Sequence, residues 1–160
     1  MNDGKKFEED WKNSFKKVNA YYFRIKDSAS SFGGGNTSFT RSNPYDCFCL
    51  YEGYFIAMEL KSTQNTSFSF ERHKDNKGKM IHLNQIVGLE DVIRIKNTYA
   101  GFIFNFREKE TYWLSIQDFI NFYNNTDKMS INEKDIIEYN GLLIQKNKLK
   151  VRFRYNIQKM

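Results

Sequence analysis

Three features are scarce in this sequence, and each scarcity excludes a class of protein. Only two of the 160 residues are cysteines, Cys47 and Cys49, and they lie too close together to build a disulfide framework. A single proline and nine glycines exclude collagen-like and Pro/Gly-rich disordered chains. No apolar run approaches the roughly 20 residues that span a bilayer, and no apolar stretch typical of a signal peptide follows the first lysines. We therefore expect a soluble, cytoplasmic protein that contacts no membrane.

Aromatic residues, in contrast, are abundant: they make up 17% of the chain and include 15 Phe and 10 Tyr. This apolar area is enough for a core without metal or disulfide support, and the length is that of one ordinary domain. We expect a single domain over 1–160. Two polar segments, 28–42 and 62–79, are predicted to be flexible loops, and the first is centred on three consecutive glycines.

Positive charge is concentrated in two places. The net charge is +6, and residues 141–160 contain six cations and no acid, so the remaining residues sum to zero. The second place is 72–79, where four cations accompany a single acid, Asp75. Two basic patches on a small domain indicate a polyanion such as nucleic acid, or else a solvated lysine-rich face. The candidate DNA-contacting residues are Arg72, Lys74, Lys77, Lys79, Arg152 and Arg154.

Helical and strand periodicities alternate along the chain. Helices are predicted over 5–19, 80–97 and 116–123, and a capping box at 130–133 predicts a fourth that ends at about Tyr139. Strands are predicted over 21–25, 45–51, 54–61, 100–106 and 112–114. Near the end, apolar residues alternate with cations over 149–155, which predicts a half-buried strand with a cationic outer face, paired with 142–145.

The predicted strands 45–51 and 54–61 are separated by only two residues, Glu52 and Gly53. A two-residue connection between apolar runs is typical of a tight β-hairpin, and glycine adopts the positive backbone angles that such a turn needs. A hairpin closed at this point has a fixed register. Residues far from the turn can therefore be paired by counting.

Counting back from the turn places three polar side chains on one face. Asp46 falls directly opposite Glu59, with Cβ atoms roughly 5 Å apart, and Lys61 emerges two residues further along the same face. Two carboxylates this close repel each other unless a cation lies between them, and hard oxygen ligands suit Mg²⁺ or Mn²⁺. Such a cation polarises a phosphoryl group, while a nearby ammonium stabilises the charge that develops. The alternative is an ordinary strand end with an exposed Glu–Lys pair.

These residues and their surroundings resemble the RecU family of Holliday-junction resolvases, found in Gram-positive bacteria and their phages. The family's Asp, Glu and Lys fall on Asp46, Glu59 and Lys61 with matching intervals. Its Thr-x-Asn…Thr-Ser-Phe and His-x-x-Gln stretches are matched by Thr63, Asn65, Thr66, Ser67, Phe68, His82 and Gln85. The first-helix pattern of related junction resolvases is similar to Gly4, Phe7 and Glu8.

The resemblance implies an α/β fold with a restriction-endonuclease-like core, a mixed central β-sheet flanked by helices. It implies a Mg²⁺ site made by Asp46, Glu59 and Gln85, with Glu8 nearby as a further catalytic residue. Lys61 would orient the attacking water or stabilise the transition state. A homodimer that places paired symmetric nicks in a four-way DNA junction is implied as well.

Two other functions stay open. The segment between Glu8 and Asp46 is shorter than in the family, where a projecting stalk enters the junction centre, so one alternative is a duplex endonuclease of the same fold without junction preference. The other is a DNA-binding recombination protein with a vestigial site, which would bind junctions in a salt-dependent manner without cutting.

Cys47 and Cys49 are better explained as buried thiols than as half of a zinc site, because no other ligands have a matching spacing.

Overall fold

The computed structural model describes residues 3–26, 43–73, 78–107 and 109–159. The helices are α1 (Asp3–Ser14), α2 (Leu83–Val92), α3 (Ile116–Asn124) and α4 (Glu133–Glu138), with short 3-10 turns at Phe15–Lys17 and Ile157–Lys159. The strands are β1 (Tyr21–Arg24), β2 (Cys47–Tyr51), β3 (Tyr54–Ser62), β4 (Ser67–Ser69), β5 (Thr98–Asn105), β6 (Thr111–Ser115), β7 (Ser130–Asn132), β8 (Leu142–Leu143), β9 (Lys146–Lys148) and β10 (Phe153–Tyr155). No helix among these residues is long and apolar enough to cross a membrane.

A six-stranded mixed sheet forms the centre of the fold, in the order β1-β2-β3-β5-β6-β8. Strands β3 and β5 are parallel, and the other neighbours are antiparallel. A parallel pair needs a crossover connection, and here that connection carries β4 and α2. The predicted mixed α/β architecture is confirmed, and the crossover is what brings α2 to the middle of the sheet.

Helices cover both faces of the sheet because its strands alternate apolar side chains between them. Phe102 and Phe104 of β5 pack on the face covered by α2 and α3, whereas Ile103 between them packs on the face covered by α1. On the α1 face, Trp11 is fully buried, as the amphipathic pattern of the first predicted helix requires.

The prediction of a loop over 62–79 is wrong in its centre. Strand β4 lies there and pairs with β7, and Phe68 and Phe70 are both fully buried. The period-two pattern of this strand is short and surrounded by polar residues, so it is not recognised as a strand. Its partner strand is too distant in sequence to be inferred. Residues 74–77, and the whole of the other predicted loop at 28–42, lie outside the described residues.

The prediction of one long strand over 149–155 is also wrong. Only β10 is extended there, and it pairs with β9, a segment predicted to be the turn, while β8 pairs with β6 instead. Val151 lies in the connection between β9 and β10 and is 80% exposed. The backbone amides of Phe153 and Tyr155 donate to Asp10 Oδ2 and Ser14 Oγ of α1, which fixes where the strand begins.

Helix α2 packs tightly against the chain just before β2. A Cβ atom added to Gly88 would lie 2.5 Å from the Cβ of Pro44 and 2.9 Å from its carbonyl oxygen. Only a glycine therefore allows α2 to approach Pro44 this closely. This approach sets the distance between α2 and Asp46, the residue before β2.

We expect Gly88→Ala to lower the free energy of unfolding by about 1–3 kcal/mol, although alanine favours an isolated helix by about 1 kcal/mol. Urea unfolding measures the difference. The control is Val87→Ala on the same helix, where the side chain is 53% exposed and the gain in helix propensity is unopposed. Equal or higher stability of Gly88→Ala would show that the contact with Pro44 does not constrain the fold.

Candidate active site at the β2–β3 hairpin

The hairpin has the register expected from its two-residue turn. Tyr51 pairs with Tyr54 next to the turn, and the ladder continues to Cys47 opposite Met58. Glu52 and Gly53 have φ angles of 49° and 84°, the left-handed conformations of a tight hairpin turn. The register is therefore confirmed as far as the ladder extends.

Asp46 lies one residue before β2, just beyond the last ladder pair. Its Oδ2 accepts a hydrogen bond of 2.9 Å from the backbone amide of Leu60, the residue after Glu59. Asp46 is thus held beside Glu59 by the backbone of the facing strand. The two carboxyl groups are close enough for Asp46 to affect the titration of Glu59.

Gln85 joins Glu59 and Lys61 into one network. Its Nε2 donates to Glu59 Oε1 at 2.5 Å, and its Oε1 accepts from Lys61 Nζ at 3.0 Å. The Lys61 ammonium also lies 3.1 Å from Glu59 Oε1. The first turn of α2 positions the amide, because the backbone N–H of His82 donates to the same Gln85 oxygen at 2.9 Å.

Burial makes Glu59 an unusual carboxyl group. Its side chain is only 4% exposed, and burial, together with the nearby charge of Asp46, raises its pKa to about 7. The Lys61 ammonium acts in the opposite direction but does not offset the burial. Near neutral pH, Glu59 of the metal-free protein therefore carries a proton for much of the time.

Arg24 is a site residue that sequence reasoning missed. Its Nη2 donates to Glu8 Oε2 at 2.9 Å and its Nη1 to Asp46 Oδ1 at 3.2 Å, so one guanidinium joins two carboxylates. A further bond of 2.8 Å reaches the Asp46 carbonyl oxygen. The only signal in the sequence is a cation at the end of an otherwise aromatic strand, which does not reveal its partners. Glu8, predicted to lie near the metal site, is joined to Asp46 through this arginine.

Oxygen ligands for a hard cation are present, but they are few. Among the described residues, no group of three or more His, Cys, Asp or Glu side chains is arranged to hold a metal ion. The available set is the two carboxylates of Asp46 and Glu59 with the amide of Gln85. This set fits Mg²⁺, which keeps several waters and needs only one or two protein carboxylates, and a cation would relieve the repulsion between the pair. Gln85 turns its NH₂ group toward Glu59, so its oxygen would face the carboxylates only after rotation of the amide.

The predicted DNA-contacting cations have varied surroundings. Arg72 stacks on the rings of Phe70 and Tyr123 and donates to backbone carbonyls, and Arg152 pairs with acids of α1. Lys79 and Arg154 are partly exposed, and Lys74 and Lys77 lie outside the described residues. Contact of these six cations with DNA stays a prediction, and for Arg72 and Arg152 internal partners now compete with it.

Cys47 and Cys49 are free thiols buried under α1. Burial raises the pKa of both, to about 12 for Cys49, so neither is a thiolate at neutral pH. Their interpretation as buried apolar side chains agrees with this environment.

The raised pKa of Glu59 predicts how stability changes with pH. An unfolded Glu titrates near 4.5 and the folded one near 7, so the folded protein holds more protons between these values and loses stability as pH rises through them. The loss attributable to Glu59 is about 3 kcal/mol. Urea unfolding in EDTA at pH 4.5 and pH 8 should show this loss, and Glu59→Gln should lack it. An equal pH dependence in both proteins would contradict the assignment.

The shared contacts of Arg24 predict a second effect. Arg24→Ala should lower the free energy of unfolding by about 1–2 kcal/mol at pH 7, because it removes charge-assisted hydrogen bonds from Glu8 and Asp46 together. At 1 M NaCl, which screens these partly exposed ion pairs, the loss should shrink. Arg24→Lys serves as the matched variant, since it keeps the charge but not the fork that reaches both acids. A loss independent of salt would indicate a packing role only.

The fold matches a solved structure over most of its length. The chain has a TM-score of 0.55 to the structure of Hjc, a Holliday junction resolvase from the archaeal hyperthermophile Archaeoglobus fulgidus, covering 87% of this chain and 94% of Hjc. The two are 16% identical, so the likeness establishes the fold: an α/β, restriction-endonuclease-like core. The fold implied by the sequence resemblance is therefore confirmed, and membership of the RecU branch stays a prediction.

Sequence comparison supplies the family. No protein-family model matches the chain. The SPbeta prophage-derived uncharacterized protein YotM of Bacillus subtilis (strain 168) is 32% identical to it, over 99% of this chain and 85% of YotM. The chain therefore belongs to the family of this Bacillus prophage protein.

Proposed function

We propose that this protein is a Mg²⁺-dependent DNA endonuclease that resolves four-way junctions by paired symmetric nicks. The observation that carries the proposal is the cluster of Asp46, Glu59, Lys61 and Gln85 on a restriction-endonuclease-like core. The similarity of this core to Hjc, itself a Holliday junction resolvase, supports nuclease chemistry. The spacing shared with RecU-type resolvases supports the choice of a junction.

Each residue of the cluster has a role that its contacts favour. Asp46 and Glu59 would hold the cation with the Gln85 amide, and the bound cation would polarise the phosphate and lower the pKa of a water. Lys61 is 11% exposed and would place its ammonium next to the developing charge, where the low local dielectric strengthens the interaction. Water attacks phosphorus in line and the bond to the 3′-oxygen breaks, which leaves a 5′-phosphate and a 3′-hydroxyl.

Junction resolution also requires two active sites. A four-way junction is resolved by nicks in two strands related by a two-fold axis, so a homodimer with a matching axis supplies both. Each chain carries one copy of the cluster, and we propose a homodimer on this ground.

The deciding experiment compares a labelled mobile four-way junction with linear duplex made from the same arms, each in Mg²⁺ and in EDTA. Wild-type protein should nick the junction symmetrically in Mg²⁺ and cut nothing in EDTA. Asp46→Asn should lower kcat by about 100-fold or more, since it removes a charged oxygen ligand. Asp127→Asn, the same change at an exposed acid, is the matched control and should cleave normally.

Three results would change the proposal. Equal cutting of both substrates would make the protein a duplex endonuclease of the same fold. Tight junction binding without cutting in Mg²⁺ or Mn²⁺ would indicate a non-catalytic recombination protein. Normal cleavage by Asp46→Asn, or by Lys61→Ala, would contradict the mechanism even if the wild-type protein cut only the four-way junction.

A further inference from the structure

A cavity of about 170 Å³ lies between α1 and the β9–β10 hairpin, where the carboxyl ends of β3 and β5 meet. It is not formed by the residues of the candidate active site. The charged residues around it come from α1, the turn after β5, and the C-terminal hairpin. They are Lys6, Asp10, Arg107, Lys148 and Arg152.

The cavity has an excess of positive charge. Asp10 is the only acid among the described residues that line it, and it is already paired with Arg152, whose Nη1 lies 3.3 Å from its Oδ1. The same guanidinium also pairs with Glu9 at 2.7 Å. Arg152 is thus neutralised by its own partners. The excess charge comes from Lys6 and Lys148, which are both exposed.

Two polar residues of the lining, Ser62 and Asn105, are hydrogen-bonded to each other. Asn105 is 5% exposed, and its Nδ2 donates to Ser62 Oγ at 3.2 Å. On its other side, Thr111 Oγ1 donates to Asn105 Oδ1 at 3.1 Å, which sets the orientation of the amide. Ser62 Oγ accepts from Asn105, and its hydroxyl is still able to donate one hydrogen bond. A hydroxyl donor in a cavity lined by cations suits an oxyanion.

We propose that this cavity binds a backbone phosphate of the nucleic-acid substrate, as a subsite separate from the cleavage centre. The proposal rests on the proposed function for the identity of the substrate. Ser62 directly follows Lys61, so their Cα atoms are about 3.8 Å apart and their side chains point to opposite faces of the sheet. A strand that crosses the end of β3 would meet the cleavage residues on one face and this cavity on the other. The contact to DNA from the C-terminal hairpin then comes from Lys148, with Arg152 holding the hairpin to α1.

Binding measured in EDTA tests the subsite without any cleavage. The affinity for a labelled four-way junction is measured over a series of salt concentrations. Lys6→Ala and Lys148→Ala should each bind roughly 3- to 10-fold more weakly at moderate salt and reduce the slope of log K against log salt, and the double variant should reduce it by about 0.9, the value for one phosphate. The control is Lys134→Ala, an exposed lysine of α4, and it should change neither quantity. Unchanged slopes in both cavity variants would overturn the proposal.

A second arm separates a nucleic-acid phosphate from a free one. Inorganic phosphate titrated into the isotope-labelled protein should shift the side-chain amide resonance of Asn105 in wild type, and less so in the Lys6→Ala/Lys148→Ala double variant. If phosphate shifts this resonance while the junction slopes stay unchanged, the cavity takes a free anion and the assignment to a DNA backbone is wrong.

Failure of this inference can be told apart from failure of the proposed function. If the wild-type protein cleaves in Mg²⁺ but the salt slopes of the cavity variants are unchanged, the subsite is refuted and the nuclease proposal stands. If the slopes are reduced but the wild-type protein cuts nothing, the nuclease proposal is refuted and the subsite stands. No binding of the junction by wild-type protein would overturn both.

Discussion

The register of the β2–β3 hairpin is the constraint on which the candidate site and the core both depend. Two residues, Glu52 and Gly53, close the turn, and their left-handed conformations fix every pair beyond it. Because side chains alternate between faces, a slip of one residue would bring Glu59 and Lys61 into the apolar layer under α1 and place Met58 in the polar site under α2. The same turn therefore keeps these charged side chains out of the layer under α1 and places them in the layer under α2.

Two separate hydrogen-bond networks then hold the carboxylates of the site. Lys61 and Gln85 hold Glu59 on the face covered by α2, whereas Arg24 holds Asp46 and ties it to Glu8 of α1. The site is thus assembled from both helical layers and lies at the ends of the strands between them. A shift of either layer would therefore move the carboxylates of the site.

Features set by local geometry could be predicted from the sequence, and features set by distant partners could not. The hairpin and the juxtaposition of Asp46 with the Glu59–Lys61 strand follow from a two-residue turn, so counting is enough to find them. Strand β4 was not predicted, because its partner β7 lies some 60 residues further along the chain. The cations gave the weakest predictions: nothing in the sequence around Arg24 or Arg152 shows that each is paired with acids of α1.

The parallel pairing of β3 with β5 has a consequence for how the site comes into being. The hairpin can close early, since its strands are joined by two residues, but Phe55 pairs with Thr98, more than 40 residues later. Pairing of strands so far apart in sequence is slow relative to forming a local hairpin. We therefore expect Asp46, Glu59 and Lys61 to come together first, and Gln85, carried on the crossover, to join them only as the sheet is completed. Burial of Glu59 would then be a late event in folding, coupled to the packing of α2.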